Sequence, residues 1–172
     1  RPPRNTAGAP AHGVPPPNRL QWVEGPRYSR HLDHMSAISA MVSAGGRNFY
    51  IFDEAPRQSI LIPSEWKLVA RDAFNGTILW KRPIPAWNTH KWPLKSGPAQ
   101  VTRRLVAVGD KVYVTLGLDA PLTILDAATG ATVRTCAGTA HTEEIIVSDG
   151  VGVAGVPRVA GILPARVEGV PP

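Results

Sequence analysis

The chain has 172 residues, with 18 Pro, 16 Gly and one Cys. That length suffices for one domain with its own core, while so much Pro and Gly excludes long helices and a single cysteine excludes an intrachain disulfide. The net charge of +6 is scattered with no block of like charges, which reads as a solvated basic surface and argues against a nucleic-acid partner.

No signal peptide is visible, and no apolar run reaches the ~18 residues of a membrane span. Residues 1–19, RPPRNTAGAPAHGVPPPNR, have nothing to bury and are expected to be disordered. RHLDHMS (30–36) is the densest polar cluster. Here His31, Asp33 and His34 are candidate ligand-binding residues, able in principle to hold a metal or act as acid and base. On a strand, His31 and Asp33 would share a face and His34 would point away; in a loop all three could converge. The spacing H-x-D-H fits no strong metal signature, and the plainer account is loop histidines bonded to backbone.

From residue 36 a regular pattern begins. SAISAMVSA (36–44) meets Gly45-Gly46 and then RNFYIFD (47–53). Two β-rich runs around a turn that tolerates positive φ predict a hairpin, with Phe49, Tyr50 and Phe52 in the core. After an insertion, EAPRQSILIPSEW (54–66), comes LVARDAFNGTILWK (68–81). The Asp72 carboxylate can accept backbone N–H groups two and three residues on, and Gly76 can take the left-handed position that closes the turn. A second hairpin is predicted there, which makes Asp72 a turn residue and not a catalytic acid.

The link PAWNTHKWPLKSGP (85–98) mixes aromatic and cationic side chains. Trp87, His90 and Trp92 are candidates for binding an anionic or planar ligand, because long ordered loops often carry function. The competing account is that the tryptophans cover the sheet faces.

The pattern then returns. RRLVAV, Gly109-Asp110 and KVYVTL (103–116) predict a hairpin with Tyr113 in the core, and LTILDAATGATVRT (122–135) repeats the second hairpin. Asp126, Ala127 and Gly130 stand 54 positions after Asp72, Ala73 and Gly76 (126 minus 72). Cys136 reads as a small buried residue. EEIIVS, Asp149-Gly150 and VGVA (143–154) begin a third copy, in which Glu143-Glu144 is expected to be solvated. Residues 156–172 are Pro-broken and read as a disordered tail.

The unit is therefore two hairpins, four antiparallel strands, at 37–84 and 104–137, with a half unit at 143–154. Such sheets repeating every ~40–50 residues are the mark of β-propeller blades, which bury their faces by stacking. The expectation is an all-β partial propeller over 20–155. Its partners would be the remaining blades of a longer propeller, or a chain covering the open blade face.

VARDAFNGTILWK and VAVGDKVYVTLGLDAPLTILDAATG resemble the pyrroloquinoline-quinone (PQQ) type propeller repeat over residues 37–154. The resemblance implies that Trp80 docks one blade on the next, with Arg134 in its place in the second copy. Quinone-binding relatives carry a vicinal cysteine pair, which one cysteine cannot supply, so no cofactor is assigned to this chain and PQQ would belong to a full-length parent. The family also implies a periplasmic or extracellular home. Two function classes follow: a PQQ-like repeat protein that binds a ligand or protein, or part of a quinoprotein-like dehydrogenase. With no Gly-rich phosphate loop, G-x-S-x-G or H-E-x-x-H, no catalytic residue is assigned.

Overall fold

Alternating apolar residues and tight glycine turns pair this chain with itself four strands at a time. The computed structural model describes residues 20, 22–23, 38–56, 62–85, 87 and 101–148, with the backbone of two further strands at 151–155 and 165–167. Strands β1 (Ile38–Ala44), β2 (Arg47–Asp53), β3 (Trp66–Asp72) and β4 (Ile78–Pro83) form one antiparallel sheet in sequence order. After a short 3-10 turn, Val101–Arg104, strands β5 (Leu105–Val108), β6 (Lys111–Thr115), β7 (Leu122–Asp126) and β8 (Thr132–Thr135) form a second sheet in the same order. A third sheet has the order β11-β10-β9, from β9 (Glu144–Ser148), β10 (Val151–Gly155) and β11 (Ala165–Val167). The all-β reading holds, as do both four-stranded units.

Two details differ from the sequence expectation. Arg103 and Arg104, read as the start of a strand, lie in the 3-10 turn. The Arg104 guanidinium turns in to bond the Leu118 carbonyl, which ordinary strand patterning does not foresee. The third sheet has three strands where two were expected, because the short run A-R-V within 156–172 adds to β10.

The turn chemistry repeats closely. One Asp72 carboxylate oxygen accepts the N–H groups of Phe74 and Asn75 at 2.8 and 3.0 Å, and one Asp126 oxygen accepts those of Ala128 and Thr129 at 3.1 and 2.7 Å. Gly76 and Gly130 close the turns at φ 75° and 72°, where other residues meet a steric cost. The N–H of Ala73 then donates to Gly46 and that of Ala127 to Asp110, so each Asp turn is tied to the glycine turn of the hairpin before it.

Both sheets also carry the same β-bulge. Leu79 and Val133, each seven positions after the turn Asp, fall between paired neighbours and take no partner in the ladder. A bulge bends its strand and re-aims the next side chain. The next side chains are Trp80 and Arg134.

The sheets bury their faces against one another. Phe49, Ile51, Trp66, Leu68 and Ala70 from the first sheet share a core with Leu105, Val112, Val114 and Leu125 from the second. The second sheet's other face packs Tyr113, Leu122, Ile124 and Cys136 against Ile145 of β9. Within β6, Val112 and Val114 thus face one way and Tyr113 the other, as period-2 alternation requires. The aromatic residues expected in the core are all buried.

Candidate functional site

Of the candidate ligand-binding residues, His31, Asp33, His34, His90 and Trp92 lie outside the described residues. Trp87 is fully buried in the core between the first two sheets. Its indole N–H donates to Ser39 Oγ at 2.6 Å, and Ser39 Oγ donates in turn to the Ile51 carbonyl at 3.4 Å. Ser39 is available because the β1–β2 register slips between Ile38 and Ala40. In the described structure Trp87 therefore staples the link back onto β1. Among the described residues, no group of three or more His, Cys, Asp and Glu side chains could hold a metal ion, and no helix is long and apolar enough to cross a membrane.

Two arrangements stand out. The first is a joint made twice. The Trp80 indole N–H donates to the Ala127 carbonyl at 3.1 Å, and its ring lies flat on Gly130, so near that a Cβ there would stand 2.7 Å from the ring. Arg82 reinforces the contact through the Gly130 carbonyl and the Thr132 hydroxyl, at 2.8 and 2.9 Å. Trp22 makes the same joint one turn earlier: its N–H donates to the Ala73 carbonyl at 3.0 Å, and its ring stands 2.8 Å from a Cβ built on Gly76. Glycine is required at both turns twice over, for its φ and for the ring. The place of Trp80 was legible through the family resemblance. That of Trp22 was missed, because Leu20-Gln21-Trp22 lies on its own, without a D-A-x-x-G turn before it.

The second arrangement is a polar cluster at the end of β5 and β6. Arg104 is only 7% exposed; one of its terminal nitrogens donates to the Leu118 carbonyl at 2.6 Å, and its Nε has no hydrogen-bond partner among the described residues. The ladder pairs Leu105 with Val114, so Arg104 and Thr115 hold the next position on each strand. Thr115 is fully buried, and its hydroxyl is also without a partner among the described residues. Beside Leu118, Asp119 Oδ1 lies 2.9 Å from His141 Nδ1.

His141 sits at φ 61°, the one non-glycine residue with positive φ among those described. The turn that presents it is held from within. Thr139 Oγ1 accepts the Leu122 N–H at 2.8 Å and donates to the Cys136 carbonyl at 2.7 Å, and Thr142 Oγ1 donates to the Thr139 carbonyl at 2.6 Å. Burial pushes the Arg104 pKa down, and the charges of Glu143 and Asp119 push it partly back. Glu144, expected to be solvated, is half-buried and meets Arg103 at 3.6 Å.

No family model matches the chain, and no curated protein matches it.

Proposed function

We propose that the chain is a PQQ-like propeller repeat protein whose stacked sheets serve as a rigid scaffold for a ligand or protein partner. The observation that carries this reading is the joint made twice, indole on glycine and indole N–H on the alanine carbonyl, once by Trp80 and once by Trp22. A joint that recurs with the same partners belongs to a repeating stack, where each unit meets only its neighbours. Trp80 leaves the last strand of one sheet to dock on the next, so Trp22 stands where the last strand of a preceding unit would. The reading therefore extends the stack beyond the two complete sheets, and the remaining blades are the partners that would cover its open faces. An exported home accompanies the family.

The same architecture serves quinoprotein dehydrogenases, so the test adds PQQ and calcium to the purified chain. The scaffold reading expects an unchanged quinone absorbance spectrum and no dye-linked alcohol oxidation. A shifted quinone band together with dye reduction would overturn it in favour of an oxidoreductase.

A further inference from the structure

Arg104 presents a problem of charge. A guanidinium stays protonated, and burying it without a counter-charge costs far more than burying a neutral donor. Its one hydrogen bond among the described residues is to a neutral carbonyl, that of Leu118. Among the described residues no acid forms an ion pair with it: Asp119 is turned to His141, and Glu143 acts on it only through its field. The Thr115 hydroxyl, buried one position across the ladder, adds a second donor with nothing to donate to among the described residues. A water molecule could satisfy the hydroxyl, but Glu143 and Asp119 offset the charge only in part and only through their field, and leave the Nε edge of the guanidinium without an acceptor among the described residues. An oxyanion answers both, because the Nε edge of a guanidinium offers parallel N–H donors that match carboxylate and phosphate oxygens.

We propose that the end of β5–β6 is an oxyanion-binding site, in which Arg104 and Thr115 together hold one carboxylate or phosphate group of a ligand, with the Asp119–His141 pair at its border. The site is prepared in advance. Leu118 fixes one nitrogen of Arg104, and Thr139 and Thr142 fix the turn that carries His141 in its left-handed conformation. Non-glycine residues held at positive φ gather at binding sites, where surrounding structure maintains them. The site uses the second sheet and the turn after it, so it does not depend on how many units the stack contains.

The experiment is a titration of the whole chain, labelled with 15N, with sodium acetate and separately with sodium phosphate, at ionic strength held constant with chloride. The Nε–H signal of Arg104 is identified by its loss in Arg104→Lys. The expected result is a saturable shift of that signal with at least one anion, with a midpoint on the order of 1–10 mM for so small a group. Thr115→Val keeps the shape and burial of the side chain and is expected to weaken binding about fivefold, the loss of one hydrogen bond. It also carries the test if Arg104→Lys does not fold, the Nε–H signal then being assigned by through-bond correlation. A response to acetate alone assigns a carboxylate ligand and a response to phosphate alone a phosphate. Shifts no larger than those with chloride, or an affinity that Thr115→Val leaves unchanged, would overturn the proposal. The scaffold reading is overturned only by dye reduction, which anion binding at Arg104 does not supply even for the carboxylates of PQQ, so the two readings fail separately.

Discussion

Gly130 answers two demands at once: a left-handed backbone at φ 72° and a bare α-carbon under the Trp80 ring. The first costs any other residue about 1 kcal/mol. The second adds the displacement of an indole that a Cβ would approach to 2.7 Å. These contributions separate in a double-mutant cycle. Gly130→Ala in the native chain is expected to lower unfolding free energy by about 2–3 kcal/mol, and by only about 1 kcal/mol in a Trp80→Ala background, where the ring is gone. Equal losses in both backgrounds, measured by denaturant titration, would show that the ring does not press on the turn. The Asp and Gly of these turns were legible from sequence because their chemistry is local: Asp72 reaches residues two and three ahead, and Gly76 supplies its own φ. Arg104 was not legible. Two adjacent arginines before an apolar strand read as solvated, and only the approach of the 116–121 loop shows that one of them is buried.

At the scale of strands, the lessons concern register. Hairpin turns and apolar runs placed β2 at the residues expected, 47–53, and β6, β9 and β10 within a residue. The bulges at Ser39, Leu79 and Val133 were invisible, because a bulge is a property of two paired strands and leaves no mark in one of them. The insertion after β2 was visible as extra length, but not the way it closes: Asp53 Oδ1 accepts the N–H groups of Ala55 and Glu65, drawing its ends together.

Across that closure Glu54 pairs with Lys67 of β3 and Lys81 of β4, binding three segments by charge. Burial alone would raise the Glu54 pKa, but hydrogen bonds and charge from the two lysines outweigh it and hold the carboxyl below its ordinary 4.5. The folded state therefore favours the ionised form, so its contribution is present above pH 4.5 and is lost as the pH falls through the lower folded value. The pair also raises the pKa of Lys67 above 10.5, so a second loss is expected only in strong alkali. Both lysines are partly exposed, which limits each pair to about 0.5 kcal/mol at low salt. Glu54→Gln should flatten the acid limb of the stability–pH curve by about 1 kcal/mol, leave the neutral region level, and remove most of the loss tied to Lys67 in strong alkali. An acid limb identical to that of the native chain would place the acid-sensitive groups elsewhere.

The molecule as a whole depends on stacking. Neither four-stranded sheet can bury two faces by itself, and the Phe49–Leu68 face of the first is covered by Val112, Val114 and Leu125 of the second. Stability in such a stack is a sum of unit and interface contributions, so weakening one interface should uncouple the units it joins. Trp80 is the side chain through which that can be tested. It packs against the shared core, stacks obliquely on Phe49 with ring centroids 5.9 Å apart, and donates across the interface to Ala127. Trp80→Ala removes all three contacts and is expected to cost about 3 kcal/mol. Trp80→Phe keeps the ring but not the donor and should cost about 1 kcal/mol. The site of the loss matters more than its size. Hydrogen exchange in the alanine variant should show the amides of β5–β8 opening at a free energy distinct from those of β1–β4, while the phenylalanine variant keeps the two sheets in one transition. If exchange slackens evenly over both sheets in Trp80→Ala, the two behave as one indivisible core, and the description of the chain as stacked copies of one small sheet fails with it.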